Sequence, residues 1–296
     1  MQVRAYAKIN LTLEVLGRRP DGYHEVRSVL HTIELHDSLC VELASDLSLR
    51  VEVEEMPGQA ELALPAEGNL ALKAARTLRA QAGVAEGAAL RLRKRIPVAA
   101  GLGGGSSDAA AALRALNALW RLSWSERRLS TLAATLGTDV PFFLISAAAL
   151  ATGRGDEITP LPPLRPTWVV LVTPKVSIPD KTRWAYSQLG LQHYSSGAMA
   201  LDLAHRLRSQ RSDIGGCHLR NVFEPLVVEK VPEVQRCRCE MWRAGARGVN
   251  LTGAGPSLFT LIDDADGASD LAQRLRLRLG VAAAVVVSQT GWRNGW

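Results

Sequence analysis

Apolar and polar positions alternate through much of the first third of the chain. Residues 3–16 fit a strand interrupted by two polar side chains, Lys8 and Asn10. The turn-forming stretch 17–22 follows, rich in Arg, Pro, Asp and Gly, and 26–35 fits a returning strand. Over 39–53 the alternation sets Leu47, Leu49, Val51 and Val53 against Ser48, Arg50 and Glu52, the period of a strand with one face buried. The spacing then predicts a helix from Asn69 through Leu72, Ala75 and Leu78, ending before Gly83. Leu90 and Leu92 alternate with Arg91 and Arg93 up to Ile96, a strand that delivers the chain into a glycine-rich loop at 97–107.

From 108 to 120 the period becomes helical, with Leu113, Leu116 and Trp120 on one side. Ser123 followed by Glu126 has the spacing of a capping box and opens a helix that ends near Gly137. Strand-like runs return at 168–172, 257–262 and 282–288 with helices between them, and no segment repeats at a fixed period. Strands gathered early, without strict alternation with helices, predict an α+β architecture. The proline-rich stretch 160–166 marks the expected boundary between two domains, 1–158 and 159–296.

A chain of 296 residues, 47% hydrophobic and 22% charged, is long and apolar enough to build such cores. Its net charge of +6 raises the question of nucleic acid. The basic residues are scattered, however, with only a short cluster at Arg91, Arg93, Lys94 and Arg95, and aromatics make up 5%. An RNA-binding α+β protein needs a concentrated basic face with exposed aromatics, so anionic small molecules suit this charge better. Cys40, Cys217, Cys237 and Cys239 have neither the density of a disulfide framework nor zinc-site spacing, and reduced thiols are expected. Residues 1–6 lack the apolar core of a signal peptide, and the longest apolar stretch, 140–151, is too short to span a bilayer. The expectation is a soluble cytoplasmic protein.

Chemistry concentrates first in the loop. Four glycines among Pro97, Gly101, Leu102, Gly103, Gly104, Gly105, Ser106 and Ser107 let the backbone approach a ligand closely, and the helix that follows offers free N–H groups to a polyphosphate. A P-loop would end in Gly-Lys-Ser/Thr, and a dinucleotide fingerprint would need glycine where Ser106 stands. Lys8 and Asn10 share one face of their strand. Lys8 is there either as an edge residue whose ammonium reaches water or as a group with a partner. Asp139, in Gly137-Thr138-Asp139-Val140-Pro141-Phe142, is either the cap of a short helix with Pro141 in its first turn or a catalytic acid.

The segment PVAAGLGGGSSDAA at 97–110 resembles the ATP-binding motif of the GHMP kinases. AKIN at 7–10 paired with DGYHE at 21–25 is similar to the branch of that family whose alcohol substrate carries a cytidine diphosphate. GTDVPF at 137–142 resembles the segment bearing the family's catalytic aspartate, and LTGAGPS at 251–257 resembles its third glycine motif, with Ala254 where many relatives have a hydroxyl residue. The resemblance implies a two-domain GHMP kinase fold with the active site in the inter-domain cleft. It implies transfer of the γ-phosphate of ATP to the 2-hydroxyl of the cytidine-linked alcohol, with Mg2+ expected and no metal ligand assigned. Carried over by position, Lys8 and Asp139 are the catalytic pair. Pro97, Gly101, Leu102, Gly103, Gly104, Gly105, Ser106 and Ser107 bind ATP, while Asn10, Tyr23, His24 and Trp184 meet the alcohol, Trp184 either stacking on cytosine or lying in the core. Gly153-Arg154-Gly155-Asp156, Asn221 and Glu224 are expected to be structural or inter-domain. A homoserine or mevalonate type of GHMP kinase would keep the loop and lack Tyr23 and His24. Partners are then two small molecules, with no nucleic acid and no membrane, and the chain is a monomer or weak homodimer.

Overall fold

The computed structural model describes residues 1–54, 67–209 and 219–291; Cys217 lies outside them. Two sheets carry the fold. The first is built on two long antiparallel strands, β1 (Gln2–Arg18) and β2 (His24–Ala44). It continues through β4 (Gly87–Lys94) to β3 (Ser48–Val53), which lies parallel to β4. The hairpin β5 (Ala148–Thr152) and β6 (Glu157–Pro160) pairs with the early part of β2. The second sheet has the order β11 (Ala283–Gln289), β7 (Trp168–Pro174), β10 (Leu258–Ile262) and β9 (Asn250–Leu251).

The proline-rich stretch 160–166 joins β6 of the first sheet to β7 of the second. The chain then crosses back, for β8 (Arg220–Asn221) pairs with β1 in parallel, setting Leu13 opposite Asn221. Apolar packing also bridges the sheets: Ile9 and Ile33 of the first share one buried cluster with Val169 and Phe259 of the second. Helix α6 (Ala198–Arg208) joins this cluster through Leu203 and Leu207. Buried Glu14 on β1 fastens its start, accepting from the Ser195 hydroxyl (2.8 Å) and the Ala200 N–H (2.8 Å).

Three sequence expectations are corrected. First, the two strands expected at 26–35 and 39–53 divide elsewhere, because β2 runs unbroken through 36–38. Asp37 there is fully buried, its carboxylate accepting from the backbone N–H groups of Arg95 (2.5 Å) and Ile96 (2.8 Å) and from Lys94. Second, helix α3 (Glu126–Ala134) is capped by Ser125, which accepts from Arg128 N, while Ser123 sits in a left-handed turn at φ +55°. Third, helix α2 (Gly104–Leu119) begins four residues earlier than its apolar period, inside the glycine run. Helix α1 (Leu70–Ala82) forms as expected, with the Asn69 side chain accepting from Ala71 N and Gly83 ending it at φ +65°. Among the described residues no helix is long and apolar enough to cross a membrane.

Candidate active site

A cleft of about 1330 Å³ opens where β1, the glycine loop, the start of helix α4 (Val140–Ile145), helix α5 (Lys181–Ser187) and the 251–257 turn meet. The loop is held on both sides by backbone. Lys8 N donates to Leu102 O (2.9 Å), and Ser257 N donates to Ala100 O (3.2 Å). Gly101 shows why glycine is required. Its φ is +85°, and a Cβ there would strike the Thr252 carbonyl oxygen and sit 2.8 Å from Gly255 O. Gly103, at φ +72°, takes the N-cap position of α2 without a side-chain cap. Its missing Cβ leaves room for the Lys8 stem and the Phe143 ring.

The start of α2 therefore presents unclaimed N–H groups to the cleft at Gly104, Gly105 and Ser106, where the positive end of the helix dipole also points. Ser107 differs from its neighbour. Its N–H is already donated to Gly103 O (2.9 Å), and its side chain is buried beside Tyr6, Thr32 and Arg114, outside the cleft lining. Below the loop, Lys94 is buried between Asp37 and Asp108, with 2.6 Å from its Nζ to Asp108 Oδ2. Burial, together with the charge of Asp37, pushes the Asp108 carboxyl up to about 8 against the pull of Lys94.

Lys8 has a partner. Only 3% exposed, it donates from Nζ to Asn10 Oδ1 (2.7 Å) and lies 3.6 Å from Asp139 Oδ2. Asp139 occupies the N-cap position of α4, with Pro141 in the first turn, but its side chain makes no cap hydrogen bond. Both geometric features foreseen for it are present, and the carboxylate serves the lysine. Asn10 ties Lys8 to the rest of the site. Its Oδ1 also accepts from Gly253 N (2.9 Å), its Nδ2 donates to Ser28 Oγ (2.9 Å), and its N–H donates to Thr252 Oγ1 (3.2 Å). The 251–257 turn is braced from behind by Asn221, donating to Leu251 O and Gly253 O, and by Glu224, accepting from Leu251 N.

The other end of the cleft is aromatic. His24 stacks on Tyr186 of α5, ring centroids 4.9 Å apart and planes inclined 28°, with Tyr194 edge-on at 6.1 Å. Burial, and secondarily the Arg18 charge, lower the His24 pKa, so its imidazole is neutral and offers one donor and one acceptor. Burial, then the Asp139 charge, raise that of the Tyr186 phenol. Tyr23 lines the mouth, 55% exposed under the guanidinium of Arg154. Trp184 does not reach the cleft; it packs on the hydrophobic core beneath the second sheet. Sequence reasoning thus missed Tyr186, Tyr194 and Lys181, and it took for structural or inter-domain the segment that brings Arg154 to the rim.

A cleft with an unclaimed helix N-terminus, a lysine–aspartate pair and a separate aromatic recess defines a small-molecule phosphotransferase. The model of the GHMP kinases N terminal domain matches residues 69–147, and that of the GHMP kinases C terminal matches 200–281. The 4-diphosphocytidyl-2-C-methyl-D-erythritol kinase of Pelotomaculum thermopropionicum is 45% identical over 92% of both chains. That of Symbiobacterium thermophilum is 42% identical over 93% of this chain and 95% of its own. A crystal structure of 4-(cytidine 5'-diphospho)-2C-methyl-D-erythritol kinase superposes over 99% of this chain and 100% of that one, with a TM-score of 0.81 and 33% identity. The chain belongs to the GHMP kinase family, among its 4-diphosphocytidyl-2-C-methyl-D-erythritol kinases.

Proposed function

We propose that this protein transfers the γ-phosphoryl group of ATP to the 2-hydroxyl of 4-diphosphocytidyl-2-C-methyl-D-erythritol, a step toward isoprenoid precursors that does not use mevalonate. The observation that carries the reading is the Lys8–Asp139 pair standing between the free N-terminus of α2 and the His24–Tyr186 stack. Residues 1–158 form the ATP-binding domain and 159–296 the second domain, which supplies Tyr186 and the 251–257 turn.

The triphosphate lies along the glycine loop and accepts from the N–H groups of Gly104, Gly105 and Ser106. The acceptor's cytosine enters beside Tyr186 and Tyr23, its edge read by the donor and acceptor of neutral His24. This seats the 2-hydroxyl at Asp139. As its oxygen bonds to the γ-phosphorus and the bond to the ADP oxygen breaks, Asp139 accepts the hydroxyl proton. Lys8, aimed by Asn10, offsets charge on the phosphoryl group in flight. Asn10 is a positioning residue here, because its carboxamide is engaged within the protein. Magnesium would arrive with the nucleotide, held by its phosphate oxygens and by the Ser106 hydroxyl, which lines the cleft at the start of α2. Bound there, it would neutralise the β- and γ-phosphates.

A coupled ADP-release assay with the cytidine-linked alcohol, mevalonate and homoserine tests the reading. Turnover with the first alone is expected. Turnover confined to either of the others would reject it.

A further inference from the structure

Lys181, in the first turn of α5, lines the cleft and takes no part in the chemistry above. Unlike Lys8 and Lys94, it has no carboxylate within ion-pair distance among the described residues. Its Nζ donates to Gly255 O at 2.5 Å, and Gly255 O lies against Gly101 of the glycine loop. The ammonium is therefore seated where the two glycine motifs touch. It is also near enough to Lys8 and Asp139 to feel both charges. Five residues further along α5 is Tyr186, whose phenol senses Asp139 as well. One short helix thus presents an aromatic ring and a cation to the transfer centre.

We propose that Lys181 is a second catalytic lysine, contacting a γ-phosphoryl oxygen during transfer while Lys8 faces Asp139. The inference rests on the kinase reading above. A tether role alone is a poor use of this cation. A carbonyl oxygen gives an ammonium one neutral partner, while the neighbouring Lys8 repels it. Burial, then Lys8, lower the Lys181 pKa to about 7, with Asp139 pulling the other way. An arriving polyphosphate would supply the missing counter-charge and keep the group protonated. The charged groups acting on it are Lys8 on β1 and Asp139 before α4.

The test has two arms on the full chain. In the first, ADP release is measured for wild type, Lys181→Met and Lys181→Arg with ATP and the cytidine-linked alcohol. Lys181→Met is expected to lower kcat by ~10²-fold or more, the scale of losing one electrostatic contact to a transition state, with the KM for ATP nearly unchanged. Lys181→Arg should recover at least a tenth of wild-type kcat, roughly a tenfold rescue by restored charge. In the second, the protein carries ¹³C-labelled lysine side chains, and the Lys181 signal, assigned by its loss in Lys181→Met, is titrated with and without the non-hydrolysable ATP analogue AMP-PNP. The analogue should raise its midpoint from near 7 by at least about one unit. Unchanged kcat in Lys181→Met, or a midpoint indifferent to AMP-PNP, overturns the proposal, as does a rise in KM and a fall in melting temperature at constant kcat, the mark of a tether. A wild type that turns over none of the alcohol would reject the substrate reading and leave the second arm to decide the role of Lys181.

Discussion

Asp139 stands at the head of α4 and leaves it uncapped, its Oδ2 turned to the ammonium of Lys8 3.6 Å away. An N-cap side chain that declines the helix N–H groups forgoes about 1 kcal/mol of local stability. Here the same carboxylate is placed, about one-third exposed, at the wall of a cleft where an alcohol can reach it.

That arrangement separates two consequences of substitution. Asp139→Asn is expected to lower turnover by ~10³-fold, within the range for loss of a general base, while AMP-PNP still binds. Asp139→Ala has no cap bond to lose, so any loss of unfolding stability should come from the buried Lys8 ammonium left without its counter-charge and should disappear in a Lys8→Met background. Calorimetry and steady-state kinetics on these variants check both halves. A loss that persists in the Lys8→Met background, with the activity of Asp139→Asn intact, would return Asp139 to a capping role.

Tyr186 and Trp184 lie two residues apart on α5 and both pack on the core beneath the second sheet, but Tyr186 also lines the cleft and Trp184 does not. Tyr186→Leu keeps apolar volume and removes the ring, so the KM for the cytidine-linked alcohol should rise ~10-fold or more, from stacking worth ~1–3 kcal/mol per base, with ATP affinity unaltered. Trp184→Leu should lower the melting temperature and leave both KM values alone. If Trp184→Leu raised the alcohol's KM while Tyr186→Leu did not, the aromatic recess would be misplaced.

Lys94 has two buried carboxylates, and they are unequal. Asp37 takes the lysine and two backbone N–H groups, while Asp108 has one oxygen with no partner and a pKa pushed up to about 8. Asp37→Asn should destabilise by ~3 kcal/mol or more, the cost of breaking a buried ion pair. Asp108→Asn keeps the shape, leaves one lysine with one carboxylate, and should be neutral within ~1 kcal/mol. Urea midpoints of the two variants decide it; equal losses would contradict the asymmetry.

His31 is wholly buried, with Nδ1 donating to Thr32 O (2.7 Å) and Nε2 accepting from Leu164 N (3.0 Å). Burial lowers its pKa from 6.5 to about 4. At pH 7 the imidazole is neutral in both the folded and the unfolded chain. As pH falls below 6.5 the unfolded chain takes a proton that the folded one refuses, so stability declines until about pH 4, by ~3 kcal/mol in all from this group. Proton NMR should show an imidazole that does not titrate above pH 5. A midpoint near 6.5 would refute it.

The chemical motifs were legible because each is contiguous: the glycine run, the Lys8–Asn10 strand face and the segment around Asp139 can be recognised before any fold is known. What joined them was not. Nothing in the spacing of Asn10 and Thr252, 242 positions apart, shows that one N–H meets the other's hydroxyl. That Tyr186 and not Trp184 lines the cleft depends on which side of one helical turn faces it, and a short run with aromatics on both sides leaves that open. Ser123 and Ser125 both precede Glu126, and only backbone geometry picks the cap. Asp37 passed for a break between strands because a buried carboxylate looks like a turn residue until its lysine, 57 positions away, is found. Lys181 resembled any surface lysine at the start of a helix.

The central claim is that a γ-phosphoryl group crosses this cleft to one particular hydroxyl. Phosphorus NMR on the product of the wild-type chain, ATP, Mg2+ and 4-diphosphocytidyl-2-C-methyl-D-erythritol tests it directly. The account predicts one new phosphomonoester signal, coupled to the carbon bearing the 2-hydroxyl, rising in step with ADP and missing with Asp139→Asn. A phosphate on another oxygen, or release of inorganic phosphate with the alcohol unchanged, would contradict it.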